Sequence, residues 1–563
     1  MSLPAPPRQA GLPTRFDLEL DPALRALFSA AARVPKAVRQ RAEFFVFFAE
    51  IIYPQLAKYR PILARLYHPT DGRPALDPIR LLAVLILQIV ERLPDRQAAE
   101  AMQYDARWRL ALHLQPDEVA CDPSLLSVFR DRLLAGGQAR LAFEAVLDLL
   151  VAEGWLPKRS KQRLDSTHVC GLLARMSRLE CAREAIRLVL EAVEARGALP
   201  AQWTAQWDRY VESKVDPRST IETLKAKVRE AGDDMNLILT WAHEQGAAWE
   251  QAEPMQVLRR VFQENYEVDA QGQRQQTRAQ PPGAVHNPHE PEAQWSSKST
   301  TKDKEWVGYK AQIAETVQDK PRARGEPTRN FITAIVTQKA IASDKPGLPE
   351  VLAEQASVGL AAPGAMYVDG AYVSSQSLKE AHDEGRELRG PAPAAPDRGK
   401  TFTAEAFNVQ VAERFAVCPA GQRSTNCSRL EAAKTGKVDF RFEWNDTLCG
   451  ACPMRPQCVG ATQSHRTLVV GEHHGFLQAR RQEMQFAEFK QEMHRRNGIE
   501  GTQSELVRGY GLRHARYRGF VKVRLQNYLI GAACNLRRLC RRLVWEAAQV
   551  HHACSTPIAA ATG

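Results

Sequence analysis

Residues 306–369 carry three strand-like segments in close succession, which commits this part of the chain to a sheet. Trp306-Val-Gly-Tyr-Lys-Ala-Gln-Ile-Ala314 alternates, and Asn330-Phe-Ile-Thr-Ala-Ile-Val-Thr337 is rich in β-branched residues. Ala365-Met-Tyr-Val-Asp369 is a short apolar run that ends in an acid. Ser375 to Glu387 then reads as a helix, so the pattern predicts one mixed sheet within an α/β fold. Lys161 to Val169 is a fourth strand candidate, short and ending in polar residues.

The flanking sequence is helical. Phe44 to Leu56 and Ile79 to Arg92 are apolar at helical spacing, and Asp77-Pro78 supplies an N-cap and a first-turn proline. Asp95 to Leu114, Pro123 to Leu134 and Gln138 to Glu153 continue the pattern. The expected organisation is an all-α N-terminal domain, 1–155, followed by a sheet domain assembled from 156–170, 302–389 and 473–550. A helical insertion and polar linker, 171–301, interrupts that sheet, and so does a Cys-rich insertion, 390–472.

Length and composition narrow the class. At 563 residues the chain is expected to hold several domains. Its longest purely apolar run, Leu81 to Leu87, falls far short of the roughly 20 residues that span a bilayer. Met1 to Arg15 has no apolar run resembling a signal peptide. The reading is therefore a cytoplasmic protein without a membrane partner, in which disulfides are not expected.

Charge points to the partner. The formal net charge is +11, and Arg495 to Trp545 holds twelve Arg or Lys residues against Glu500 and Glu505 alone. Such a local excess of cations is the footprint of a phosphate backbone. Charged helix faces are usually only solvated, but here several cations share one face and Tyr510, Tyr517 and Phe520 interleave with them. Candidate DNA contacts are Arg508, Arg513, Arg516, Arg518, Lys522 and Arg524, with Arg496 beside Glu500 and Lys310 flanking a candidate active-site strand.

Three acids stand out. Asp165 and Asp369 each end a strand candidate, and Glu500 lies inside the basic segment, where an acid is costly unless it has a role such as holding a divalent metal. Taken singly, an acid at a strand end is more often a turn or cap residue. Together they suit two-metal phosphodiester chemistry, which needs two divalent ions about 4 Å apart held by a few carboxylates.

These residues carry a resemblance. Leu164-Asp-Ser-Thr-His-Val169, Trp306-Val-Gly-Tyr-Lys310, Tyr367-Val-Asp-Gly-Ala-Tyr372 and Arg496-Asn-Gly-Ile-Glu-Gly501 resemble a bacterial insertion-sequence DDE transposase. So do Arg516-Tyr-Arg-Gly519 and Ala533-Cys-Asn-Leu-Arg537. Asp71-Gly-Arg-Pro-Ala-Leu-Asp-Pro78, Asp95-Arg-Gln-Ala-Ala99 and Phe129-Arg-Asp-Arg132 resemble the helical domain that precedes such cores.

The resemblance implies an RNase-H-like core with Asp165, Asp369 and Glu500 as the catalytic triad, two Mg²⁺ ions with Mn²⁺ as a substitute, and double-stranded DNA as substrate and target. It also implies a homodimer or higher oligomer in the active complex, a nucleoid-associated location, and cleavage of terminal inverted repeats with transfer of the 3′-OH ends. In many relatives the glutamate lies in a Tyr-x₂-Arg-x₃-Glu-x₆-Lys context. Arg496 matches its arginine, but Met493 and Val507 replace the tyrosine and lysine, with Arg508 one residue further on. That departure leaves a hairpin intermediate unsupported. The rival readings are a non-catalytic, transposon-derived DNA-binding protein and an RNase-H-like nuclease without end specificity.

Five of the eleven cysteines cluster at Cys418, Cys427, Cys449, Cys452 and Cys458. The Cys449-x₂-Cys452 pair with Cys418 and Cys458 forms a reasonable tetrahedral zinc set. With all four positions filled, that Zn²⁺ would be structural. His168 is expected to orient or pack.

Overall fold

The computed structural model describes residues 36–68, 75–115, 117–197, 199–214, 219–269, 274–297, 305–319, 322–395, 401–433 and 436–555, together with residue 26. Residues 71–74 of the N-terminal motif, linker residues 270–273 and 298–301, and residue 396 lie outside the described residues.

The strands follow in chain order. β1 is Lys161–Cys170, β2 is Tyr266–Val268, β3 is Arg274–Gln276, β4 is Gln294–Ser297 and β5 is Glu305–Thr316. β6 is Ile332–Lys339, β7 is Ala365–Tyr367 and β8 is Glu387–Arg389. The central sheet runs β4-β5-β1-β7-β8, with β6 pairing β5 further along the strand. β1 is antiparallel to β5 and parallel to β7, and β7 is parallel to β8. This is the mixed sheet of an RNase-H-like α/β core, preceded by helices.

Two apolar layers cover it. One face packs Leu164, Ala334, Met366 and Val368 against the helices Gly347–Ser357 and Ser375–Asp383. The other face, including Ile313, Ile332 and Ile335, packs into a core shared with the N-terminal helices and the long C-terminal helix, Phe520–Ser555. Phe143 of the helix Leu141–Ala152 stacks on Tyr528 of that C-terminal helix, ring centroids 6.3 Å apart. The N-terminal helices therefore do not close a core of their own.

Asp77 caps the buried helix Pro78–Glu91 by accepting from the Ile79 N–H at 3.1 Å. That bond satisfies one of the donors a helix start leaves free.

The helical insertion has a separate core, in which Arg178–Glu194, Ile221–Gln245 and Glu253–Asn265 pack around Ile186, Met235, Ile238 and Leu258. The short β2–β3 hairpin follows it. The returning chain then adds β4 to the edge of the central sheet. By sequence, residues 294–297 fall in the polar linker, because four residues are too few to show alternation; the structure pairs them with β5. Glu290 fixes this return: its buried carboxylate accepts from the Tyr309 hydroxyl at 2.9 Å and from the N–H groups of Leu172 and Leu173.

The Cys-rich segment is also a separate unit. β9 (Asn408–Gln410) pairs β10 (Phe415–Val417), while β11 (Asn426–Glu431), β12 (Val438–Glu443) and β13 (Thr467–Gly471) form a three-stranded sheet. Its core is small, built on Phe407, Phe442 and Trp444.

Candidate active site

Strand register places the first two acids side by side. In the parallel pair β1–β7 the last partners are Arg163 and Tyr367. Asp165 and Asp369 each lie two residues beyond, so they stand level on adjacent central strands, Asp369 just past the carboxyl end of β7 and Asp165 in the middle of β1, which continues to Cys170 instead of ending at the acid as the sequence suggests. The carboxyl end of a strand such as β7 is where open α/β sheets form their binding crevices.

Local hydrogen bonds orient both carboxylates. Asp165 Oδ1 accepts from the Ser166 N–H at 2.8 Å, and Asp369 Oδ1 accepts from the Ala371 N–H at 2.8 Å. Each Oδ2 then faces the same guanidinium. Arg496 Nη2 lies 3.3 Å from Asp165 Oδ2 and 3.7 Å from Asp369 Oδ2. The two oxygens are thus within about 7 Å of each other, close enough to share divalent ions about 4 Å apart. Tyr372 registers the same convergence. Burial pushes its phenol well up, and Asp344, Asp165 and Asp369 add to the effect.

Glu500 reaches this edge on the helix Ala487–Tyr510. Arg496 and Gln503 on that helix both touch the middle of β1, the latter by donating to the Ser166 carbonyl at 3.2 Å. Glu500 lies four residues after Arg496 and three before Gln503, on the same stripe and between the two contacts. Its side chain is exposed.

A buried ion network holds the helix in this register. Glu315 of β5 is fully buried and accepts from Arg163 Nε at 2.6 Å, Arg538 Nη1 at 2.8 Å and Thr502 Oγ1 at 2.7 Å. Arg163 in turn donates to the Arg495 carbonyl at 2.9 Å, and Arg538 pairs with Glu505 at 2.8 Å. Gly498 makes room for this: a Cβ there would fall 1.9 Å from Arg163 Nη1. That guanidinium is pinned by Glu315 and cannot swing aside. Sequence reading missed Glu315, which lies one residue past the alternating run that ends at Ala314.

The basic residues divide. Arg508 and Arg518 are exposed. Arg513 donates to the His168 carbonyl at 2.9 Å, Arg516 to the Leu93 carbonyl, and Lys522 pairs with Asp131 at 2.7 Å. Arg524 is half-buried on the C-terminal helix. Lys310 is buried, donating to the Ala342 carbonyl and pairing with Asp344 at 3.1 Å. With Arg496 on Asp165, five of the candidate DNA contacts thus already hold protein partners. His168 stacks near Trp306, with centroids 5.0 Å apart.

In the Cys-rich unit, Cys418, Cys449, Cys452 and Cys458 line one cavity of about 20 Å³, roughly the room one atom-sized guest needs. Cys427 sits apart on β11. Burial pushes the Cys458 thiol up, with Cys418, Cys449 and Cys452 adding to it, while Arg466 opposes. The Arg466 N–H donates to Cys449 Sγ at 3.4 Å. Among the described residues, no group of three or more His, Cys, Asp or Glu side chains is closed into a metal-binding arrangement. The thiols and the carboxylates converge without being drawn in to ligand distance.

The fold thus brings two acids of the central strands together, with a third on the helix across from them. The family model for the Transposase DDE domain matches residues 417–540, and the model for the Transposase domain DUF772 matches residues 33–132. Both matches agree with an insertion-sequence DDE transposase, and they point to a role in transposition. The DDE match takes in Glu500 and the four converging cysteines, and it begins inside the Cys-rich unit. No curated protein and no solved structure was found to match the chain. No helix among the described residues is long and apolar enough to cross a membrane.

Proposed function

We propose that this chain cleaves the terminal inverted repeats of an insertion sequence and transfers the freed 3′-OH ends to target DNA. The observation that carries the reading is the convergence of Asp165 and Asp369 on Arg496, with Glu500 one helical turn away. Carboxylates so placed suit Mg²⁺, a hard cation that keeps several waters and needs few protein ligands. Asp165, Asp369 and Glu500 would hold two such ions, or Mn²⁺, which would activate the attacking oxygen and stabilise the leaving one.

The protein's own part is positioning. The bonds from Ser166 and Ala371 aim both carboxylates before any substrate arrives, and the Glu315 network fixes the helix that brings Glu500. Arg496 neutralises the paired carboxylates and offers a charge to the phosphate that docks there. Residues 1–155 would recognise element ends and support assembly into a dimer or larger complex. Four thiols around one atom-sized cavity fit a structural Zn²⁺, which would staple a unit with little apolar core.

The test is Mg²⁺-dependent nicking of DNA bearing the inverted repeats that bracket the gene. The unaltered chain should nick at the element ends, and Asp369→Asn should lose nicking while keeping DNA binding. Binding without nicking by the unaltered chain would favour a non-catalytic DNA-binding protein. Cleavage without end specificity or joining would favour a general nuclease.

A further inference from the structure

Beyond the carboxylate edge, the helix that carries Glu500 borders a second strongly charged feature. Its last turns, the C-terminal helix and the segment before β6 enclose a cleft of about 330 Å³. Arg322, Arg537, Arg538 and Arg541 line it, against the single carboxylate of Glu505. Arg538 already takes that carboxylate in two bonds, at 2.8 and 3.0 Å, and it also holds Glu315. Arg541 reaches Glu505 only at 3.5 Å and remains 59% exposed. Arg322 is exposed and has no ion-pair partner among the described residues. The cleft therefore carries about three uncompensated positive charges, an arrangement that favours a bound anion.

The scaffold beneath is rigid. Arg542, buried in the C-terminal helix, pairs with Glu326 at 2.6 Å, and Arg538 donates to the Asn330 carbonyl at 2.9 Å. These bonds fix the segment that presents Arg322. Arg537 donates to the Val90 carbonyl at 3.2 Å, with its guanidinium over the Phe44 ring, so it is held at the cleft's inner side. Gly509 and Glu505 follow Glu500 by nine and five residues, which puts the cleft up to about 13 Å further along the helix, on a different face.

We infer that this cleft binds the phosphodiester backbone of DNA a few nucleotides away from the carboxylate edge. The inference rests on the proposed function for the identity of the anion as DNA phosphate. Contacts of this kind set the register of a duplex without reading bases. They are also a source of affinity that Arg513, Arg516 and Lys522, held by protein partners, are poorly placed to supply.

The test is the salt dependence of binding to a mixed-sequence duplex, for the full chain without divalent ions. Removing two phosphate contacts in Arg322→Ala/Arg541→Ala should flatten the slope of log K against log salt by about two. Arg322→Lys/Arg541→Lys, which keeps both charges, should hold the slope near that of the unaltered chain. Lys225→Ala/Lys227→Ala, an equal charge loss on the helical insertion, should leave it unchanged. An unchanged slope in the arginine double variant, or an equal fall in the lysine one, overturns the cleft while leaving the proposed function standing. No DNA binding by the unaltered chain overturns both.

Discussion

Glu315→Ala is the perturbation whose cost the structure defines best. The Glu315 carboxylate is fully buried and joins two guanidiniums, Arg163 and Arg538, with side-chain exposures of 10% and 3%. Removing it leaves Arg538 with Glu505 and Arg163 with little beyond the Arg495 carbonyl. Breaking a buried pair by deleting one partner costs about 3–5 kcal/mol, because the surviving charge is stranded. A domain of this core's size loses about 2–4 °C of Tm per kcal/mol, so its transition should fall by about 10 °C.

Scanning calorimetry or dye-based thermal shift reads this directly. Glu315→Ala/Arg538→Met, which removes charge from both sides, should cost less than the sum of the two single changes. The same loss frees the Glu500 helix from β1, so nicking should fall even at temperatures where the variant stays folded. A Tm within 2 °C of the unaltered chain, or strictly additive costs in the double variant, would refute the network as the brace of that helix.

Three further outcomes follow from the site and its surroundings. Arg496→Ala removes the cation shared by Asp165 and Asp369, so the metal-free protein should melt lower and the Mn²⁺ needed for half-maximal thermal stabilisation should drop several-fold; a weaker Mn²⁺ response would contradict this. Cys452→Ser should lower zinc content, measured by atomic absorption on purified protein, from one equivalent per chain towards zero, whereas Cys427→Ser should leave it intact. His286 is held down to about 4 by burial, with Arg175 opposing its charge further, against an ordinary value of 6.5. Its folded form resists protonation, so the stability it contributes is complete above about 6.5 and declines as pH falls towards 4. His286→Phe should flatten that part of the pH–Tm curve, and an unchanged profile would remove His286 as its source.

What could be read directly from the chain was local. β1, β5, β6 and β7 were legible because alternation and β-branching are properties of consecutive residues, and Asp77-Pro78 announced its helix for the same reason. The cysteine grouping was legible because Cys449-x₂-Cys452 is a short-range spacing, and the structure gathers Cys418 and Cys458 around it while leaving Cys427 outside. Asp369 could be singled out at a strand end and Glu500 in a basic segment, whereas the strand that seemed to stop at Asp165 runs on to Cys170.

Partnership between distant segments was decided only by the tertiary structure. The register of β1 on β7 puts Asp165 level with Asp369, and one guanidinium, Arg496, meets both. The packing of the last two helices turned Arg513, Arg516 and Lys522 inward to protein acceptors, although their spacing suggested one open face. It also buried Glu315 at a position indistinguishable by composition from an exposed strand residue. A sequence fixes which side chains are available and their local periodicity; which of them meet depends on how separate apolar faces bury against one another, and that is a property of the whole fold.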